Sequence, residues 1–292
     1  PLEGSRYYYN SLENVDKIRD DIVNTLEGDT IKVGWAKESL IPTEPVPLAG
    51  YGARKGANFE GVDDTIFVKA VVFDNEITKA AYISMDLLIV PPNLDHQKIL
   101  DKLSFEVDNL YLTASHTHSS IGGYLEGLAG KIFGGEYSED ILEFITNKTI
   151  LALEEAYYKR EKSRIGYGRI YASNFVTNRL VGDSIGTYDP FIRLIKINTE
   201  SGKNAAVFSY AAHATCYGHK QRDLSGDYPG RLTSMLEMTR EIDFAVYGAG
   251  AVGSMSPRTK SVEGAMIVLA VWIQMHLITL LMLMLNTLHQ IV

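Results

Sequence analysis

The segment NLYLTASHTHSSIGGY, residues 109–124, places His116 and His118 two positions apart at the end of an apolar run. In a β-strand, the side chains at positions i and i+2 point to the same face and lie about 6.6 Å apart along the strand. Two imidazoles with this spacing suit a metal site. A histidine pair in a loop that binds nothing is an equally open interpretation.

Three further segments carry residue types that are used in catalysis. His213 lies in FSYAAHATCYG, directly after an apolar stretch, and Arg179 lies in the polar segment VTNRLVGD. Asp227 in LSGDYPGRL and Ser256 in GAGAVGSMSPR lie in glycine-bearing turns. Loops at strand ends concentrate binding chemistry in α/β proteins, because the sheet holds them while leaving them exposed. Each residue taken alone also has a structural interpretation, such as a surface arginine or, at Asp227, a helix start.

The elements that must position these residues alternate between strands and helices. Short apolar runs bounded by turn residues predict strands at Ile31–Ala36, Ile66–Asp74, Lys79–Met85, Asn109–Ala114, Ser163–Ser173, Phe191–Ile197, Ala205–Ala211 and Asp243–Gly248. Apolar residues at helical spacing predict helices at about Leu12–Leu26, Asn93–Leu103, Ser138–Tyr158 and Tyr228–Arg240. A hairpin between the second and third strands adds antiparallel pairing. We therefore expect an α/β fold in which a mixed β-sheet core is flanked by helices in a single catalytic domain.

Composition narrows the classes of function. The chain has 292 residues, of which 46% are hydrophobic, so it can bury a substantial core. A net charge of −8 without a long basic cluster argues against a nucleic-acid partner, because neutralising phosphates requires a basic face. Cys216 is the only cysteine, which excludes an intramolecular disulfide and a cysteine-based zinc cluster. A metal site would therefore depend on His, Asp, Glu or Tyr.

The C-terminal segment differs from the rest of the chain. Glu263 is the last charged residue, and residues 264–292 are almost wholly apolar. The length and apolarity of this segment suit a membrane anchor. An out-of-frame translation product is the alternative. We therefore divide the chain into residues 1–263, a hydrolase-like domain, and residues 264–292, an apolar tail that we do not expect to pack as part of that domain.

The chain resembles the catalytic domain of the neutral/alkaline ceramidases, in the smaller bacterial branch of that family. The resemblance runs from about Ile31 to about Arg258. It rests on the order of VGWAKESLIP, PLAGYG, FVKAVVFDN, AAYISMDL, YLTASHTHSSIGG, NR, FSYAAHATCYG, SGDYPG and GAGAVGSMSP. It departs from the family after HTHS, where Ser120-Ile121-Gly122-Gly123 replaces Gly-Pro-Gly-Gly, and after Asn178-Arg179, where Leu180 and Val181 replace Ser-Pro.

The resemblance implies a zinc-dependent amidohydrolase that cleaves the N-acyl amide of ceramide or a related N-acyl lipid with a metal-activated water. It implies that His116 and His213 are zinc ligands, and that His118 and Arg179 line the site and hold the amide. His118 as a further ligand is the alternative. For the ligand pair, we expect the nearest ring nitrogens to lie within about 5 Å of each other. The resemblance further implies supporting or substrate-binding roles for Asp227 and Ser256.

The resemblance also raises expectations beyond these residues. The family completes its zinc shell with a Glu and a Tyr after the last motif, and neither residue type follows Glu263 here. We therefore expect a truncated, incomplete domain. A secreted, periplasmic or membrane-associated protein is expected, with contact to a membrane surface possible. Two alternatives stay open: a catalytically dead, membrane-attached binding module, and a zinc hydrolase that acts on a non-lipid amide or ester.

Overall fold

The computed structural model describes residues 31–259 and residue 261. Eight of its strands form one mixed sheet in the order β11-β9-β8-β6-β1-β3-β4-β5. They are β1 (Ile31–Ser39), β3 (Phe67–Asp74), β4 (Lys79–Met85), β5 (Asn109–Ala114), β6 (Glu161–Tyr171), β8 (Phe191–Thr199), β9 (Asn204–Tyr210) and β11 (Phe244–Ala249). Two short pairs lie outside this sheet, formed by β2 (Gly61–Val62) with β10 (Asp223–Leu224) and by β7 (Val176–Asn178) with β12 (Met255–Pro257).

Helices flank the sheet. They are α1 (His96–Lys102), α2 (Gly127–Gly134), α3 (Glu139–Tyr158) and α4 (Asp227–Glu237). The predicted α/β fold with a mixed sheet is confirmed, and the predicted strands agree with the observed ones to within a few residues. The short strands and the glycine-rich α2 were not predicted, because they are too short or too irregular to show a periodic pattern. The helix predicted at residues 12–26 and the apolar tail lie outside the described residues.

The predicted hairpin joins β3 to β4. Asp74 pairs with Lys79 across this antiparallel ladder. The side-chain oxygen of Asn75 accepts hydrogen bonds from the backbone N–H groups of Ile77 (3.2 Å) and Thr78 (2.7 Å). An Asn side chain that bonds its own turn in this way substitutes for a backbone turn. Parallel pairing occurs at the two edges of the sheet, between β4 and β5 and between β9 and β11.

The sheet folds over so that its two halves pack face to face. Along β9, Ala205 and Val207 belong to the core between the halves, whereas Ala206 and Phe208 belong to the core on the outer side. This alternation follows from the two-residue period of a strand. Two polar contacts also join the halves, from Lys69 Nζ to the carbonyl of Ala245 (2.8 Å) and from the Ser84 hydroxyl to the carbonyl of Tyr247 (2.5 Å).

Each half of the sheet carries a helix on its outer face. The long helix α3 covers β1 and β3, and α4 packs on β11. At Gly34 in β1, the approach of α3 is so close that a Cβ atom would lie 2.1 Å from the carbonyl oxygen of Ala156. Within residues 31–259, no helix is both long enough and apolar enough to cross a bilayer.

We expect Gly34→Ala to lower the free energy of unfolding by roughly 1–3 kcal/mol, because the added methyl group meets helix backbone that cannot rotate away. Urea denaturation followed by circular dichroism measures this. Gly218→Ala is the matched control, since its added Cβ would meet no atom within 4 Å. Equal stability of the two variants would contradict the close packing of α3 on β1.

Candidate metal centre

Three histidines from distant parts of the chain converge at one end of the folded sheet. His116 and His118 follow β5, and His213 follows β9. The Nε2 atom of His213 lies 3.0 Å from that of His116 and 2.8 Å from that of His118. The ligand atoms of the three residues all lie within 4.8 Å of one another, so this group could hold a metal ion. The spacing expected between the ring nitrogens of His116 and His213 is therefore met.

Backbone carbonyls fix the proton on the far side of each imidazole. A carbonyl oxygen can only accept a hydrogen bond, so a ring nitrogen bound to it must carry the proton. The contacts join Nδ1 of His116 to Leu88 O (2.6 Å), Nδ1 of His118 to Gly50 O (3.1 Å) and Nδ1 of His213 to Val252 O (3.1 Å). All three Nε2 atoms are thus left with a free lone pair, and those of His116 and His118 both lie close to that of His213. Metal-binding histidines are commonly oriented in this way.

The three rings are neutral at physiological pH. Burial lowers the pKa of His118 to about 3, helped by the proximity of His213 and His116. Burial likewise lowers the pKa of His213 to about 4, and it lowers the pKa of His116. A tetrahedral zinc ion with bonds of about 2.0–2.1 Å holds its ligand nitrogens about 3.3 Å apart. The separations from Nε2 of His213 to the other two are a few tenths of an ångström shorter, and three neutral imidazoles are a donor set that suits zinc.

The alternation of side chains along a strand does not explain the proximity of His116 and His118. β5 ends at Ala114, and His116 has a left-handed backbone (φ 62°). The two rings lie nearly perpendicular, with an interplanar angle of 88°. A turn in the loop therefore brings the two side chains together. Because Nε2 of His118 points into the cluster, the geometry favours the alternative in which His118 is itself a ligand.

Arg179 lies beside this cluster, at the end of β7. Its side chain is exposed, and its guanidinium donates twice to the carbonyl of Gly253, from Nε (3.1 Å) and from Nη2 (2.8 Å). Its positive charge is close enough to contribute to the lowered pKa of both His116 and His213, after the larger effect of burial. The structure therefore places Arg179 near the histidines, and its role in holding substrate stays a prediction.

Asp227 supports the loop that follows His213. It is the first residue of α4, after a cap at Gly226, and it is fully buried with a left-handed backbone (φ 54°). Its carboxylate accepts hydrogen bonds from backbone N–H groups, namely those of Cys216 (3.3 Å), Tyr217 (3.0 Å) and Tyr228 (2.6 Å). Both oxygens of the carboxylate are thus hydrogen-bonded to the backbone of this chain. The geometry therefore favours a supporting role for Asp227 over substrate binding.

Ser256 lies one residue from a contact with His213. It is half-buried in β12 and is paired with Thr177 of β7. The preceding residue, Met255, accepts the backbone N–H of His213 at 3.1 Å. β12 therefore holds the backbone of His213 in place. This position agrees with a supporting role for Ser256, and that role stays a prediction.

Residues 41–266 match the sequence family described as neutral/alkaline non-lysosomal ceramidase, N-terminal. The chain belongs to this family. It is 24% identical over 280 residues to neutral ceramidase A of Dictyostelium discoideum, which covers 86% of this chain and 38% of that protein. It is also 24% identical over 240 residues to the neutral ceramidase of Drosophila pseudoobscura pseudoobscura, covering 73% of this chain and 33% of that protein. The chain thus spans between a third and two fifths of these relatives.

Solved structures share the fold of this ceramidase-family chain. A structure titled "Ceramidase complexed with C2" matches with a TM-score of 0.72 and 19% identity, covering 83% of this chain and 42% of that one. Neutral ceramidase from Pseudomonas aeruginosa matches with a TM-score of 0.68 and 21% identity, covering 78% of this chain and 39% of that one. At these identities the likeness establishes the fold.

The residues that our sequence reasoning missed lie in the segment LAGYGAR, at positions 48–54. Gly50 has a positive φ of 113°, and a Cβ atom there would lie 2.6 Å from His118, so only glycine fits. The ring of Tyr51 lies 4.9 Å from the imidazole of His118. The motif PLAGYG contributed to the ceramidase resemblance, but nothing in its composition indicates contact with a histidine 67 residues later. The paired glycines were the available signal for a close approach.

We expect Asp227→Asn to destabilise this ceramidase-family chain by about 1–3 kcal/mol, because an amide nitrogen would replace one acceptor among the three backbone N–H donors. Thermal unfolding measures the loss. Asp101→Asn, at an exposed position of α1, is the control and should change the midpoint little. A midpoint unchanged in Asp227→Asn would show that the buried carboxylate does not hold the loop after His213.

Proposed function

We propose that this chain carries the zinc-holding part of the active site of an amidohydrolase that cleaves the N-acyl amide of ceramide or a related N-acyl lipid. The convergence of three neutral Nε2 lone pairs is the observation that carries the proposal. Membership of the ceramidase family supports the choice of reaction and substrate class. The relatives are much longer than this chain, so similarity to them does not establish its activity or its substrate. Both are part of the proposal.

The three histidines bind the metal through Nε2 in this proposal. When bound, zinc supplies a Lewis acid and lowers the pKa of a coordinated water towards about 7. The carbonyls of Leu88 and Gly50 hold His116 and His118 in the tautomer that a metal requires. A histidine whose Nε2 ligates a metal cannot relay a proton through that atom. We therefore assign His118 to metal binding instead of to proton transfer to the leaving amine.

Arg179 supplies positive charge beside the metal ligands. Its guanidinium is anchored on the carbonyl of Gly253, its side chain is otherwise exposed, and its charge contributes to the lowered pKa of His116 and His213. Amide hydrolysis develops negative charge on the carbonyl oxygen in the transition state. A fixed cation at this position stabilises that charge.

The proposed lipid substrate also implies that the protein acts at a membrane surface. We therefore propose a secreted, periplasmic or membrane-associated protein.

We expect the purified full chain to bind one zinc ion per molecule and to hydrolyse a short-chain fluorogenic N-acylsphingosine presented in detergent micelles. His116→Ala and His213→Ala should each abolish turnover and weaken zinc binding by at least about 100-fold, because each removes a ligand. Competition with a chromophoric chelator measures the affinity. His96→Ala, on the exposed face of α1, is the matched control. Zinc affinity that survives both substitutions would contradict the proposed site.

For Arg179→Lys, we expect kcat/KM to fall by about 10- to 100-fold, because lysine cannot keep both hydrogen bonds to Gly253 while holding its charge in place. Zinc affinity should stay within about twofold of the unsubstituted chain, because Arg179 is not a ligand. Arg169→Lys, in β6, controls for the loss of a guanidinium. Parallel losses of zinc affinity and turnover in Arg179→Lys would assign it a structural role only.

A further inference from the structure

Arg54 is a buried cation that is paired with backbone oxygens. Its side chain is 5% exposed, and no carboxylate among the described residues forms an ion pair with it. Burial lowers its pKa to about 10, so it remains charged at neutral pH. A buried charge without a carboxylate partner is costly unless hydrogen bonds satisfy it. The groups that this guanidinium contacts must therefore compensate for the cost of burying its charge.

Three of the four oxygens that the Arg54 guanidinium contacts belong to two histidine loops, the one after β5 that contains His118 and the one after β9 that contains His213. On one side, Nη1 donates to the carbonyls of Ala49 (2.9 Å) and His118 (2.5 Å), and Nη2 donates to the hydroxyl of Ser119 (3.3 Å). On the other side, Nε donates to the carbonyl of His219 at 3.3 Å, in the loop that follows His213. One side chain thus bonds the loop of His118 to the loop of His213.

Tyr51 forms a second connection between the same two loops. Its hydroxyl donates to the carbonyl of Tyr217 at 2.7 Å, and its ring lies 4.9 Å from the imidazole of His118. The guanidinium of Arg54 lies over this ring, 4.9 Å from its centroid. Directly before Tyr51, the carbonyl of Gly50 accepts the Nδ1–H of His118. The segment 49–54 therefore contacts the backbone and the ring of His118 and two carbonyls beyond His213.

We propose that Arg54 and Tyr51 are positioning residues that set the separation between Nε2 of His118 and Nε2 of His213. This inference rests on the proposed function of the cluster as a metal site. Neither residue is assigned as a ligand, because the hydroxyl of Tyr51 donates to the carbonyl of Tyr217 and a guanidinium has no lone pair to offer a metal. They act by holding two loops, which are separate in sequence, at the distance that one small cation requires.

Arginine is suited to this task in a way that lysine is not. A guanidinium offers five N–H donors in a rigid plane, so it can reach four oxygens in two directions at once. A lysine ammonium is a compact point charge at the end of a flexible stem. Arg54→Lys therefore keeps the positive charge and removes the ability to bond both loops at once. Tyr51→Phe removes only the bond to Tyr217 and keeps the ring beside His118.

The test measures zinc affinity of the full chain by chelator competition, for Arg54→Lys and Tyr51→Phe, each alone and combined with His118→Ala. Loss of a partner that orients a ligand typically costs 10- to 100-fold in metal affinity. We expect about a 10-fold loss for each single variant. In the His118→Ala background we expect no further loss beyond about twofold, because the ligand that the two residues position is already absent.

Arg160→Lys is the matched control. It makes the same chemical change at a half-buried arginine, which pairs with Asp74 (3.2 Å) and donates to the carbonyl of Tyr157, at the end of β3 away from the histidines. It should leave zinc affinity within about twofold. If Arg54→Lys fails to fold, which thermal unfolding would reveal, Tyr51→Phe carries the same test.

A measurement on the zinc-free chain distinguishes a failure of the positioning role from a failure of the proposed function. Two-bond ¹H–¹⁵N spectra of the zinc-free chain should show His118 as a single Nδ1–H tautomer, and Arg54→Lys should give a mixture of tautomers. A chain that binds no zinc but shows this change would refute the proposed function and uphold the positioning role. An unchanged tautomer together with unchanged affinity, or an equal loss in the His118→Ala background, would overturn the positioning role.

Discussion

Three imidazole lone pairs that point at one another repel unless a cation lies between them, and the surroundings of His116, His118 and His213 are arranged around this constraint. Their Nε2 atoms approach to 2.8 and 3.0 Å. A shared proton would satisfy the pairs in principle, but burial lowers the pKa of all three rings and disfavours it. A carbonyl behind each ring prevents the lone pair from turning away. The arrangement thus favours a bound cation, which is why this group is a candidate metal centre.

The folding of the sheet makes this convergence possible. β5 forms one edge of the sheet and β9 lies next to the other, with β8, β6, β1, β3 and β4 between them. In a flat sheet the loops after these two strands would lie far apart, at roughly 4.8 Å per strand. β5 and β9 run in opposite directions within this ladder, so folding alone would leave the two loops at opposite ends. β11 crosses the other half, from Lys69 of β3 at Ala245 to Thr113 of β5 at Gly248, and the loops meet because the packed halves cross. The buried Lys69 supports this, since it reaches from β3 to Ala245 in β11 and pairs with Glu237 of α4 (3.0 Å).

Local patterns in the sequence predicted the eight strands of the main sheet, the hairpin and three of the described helices, because those elements depend on periodicity and turn residues that lie close together in the chain. The approach of His116 and His213 could be expected only from their matching positions after apolar strands and from the family motifs. The left-handed backbone of His116 has no sequence signal, since it belongs to a non-glycine residue. Arg54, in the segment ARKGA, resembles a surface residue, and its burial depends on oxygens supplied by loops more than 60 residues away.

The charge of the cluster decides which chemistry it favours. Its three ligand groups are neutral, so a bound divalent cation keeps its full charge, and Arg179 and Arg54 add two positive charges nearby. The buried Asp227 directs its oxygens at backbone N–H groups and does not join the ligand group. An amide is neutral in its ground state and gains negative charge on oxygen as a nucleophile adds to it. Under the proposed function, this excess of positive charge would bind the transition state more strongly than the substrate, which is the condition for catalysis.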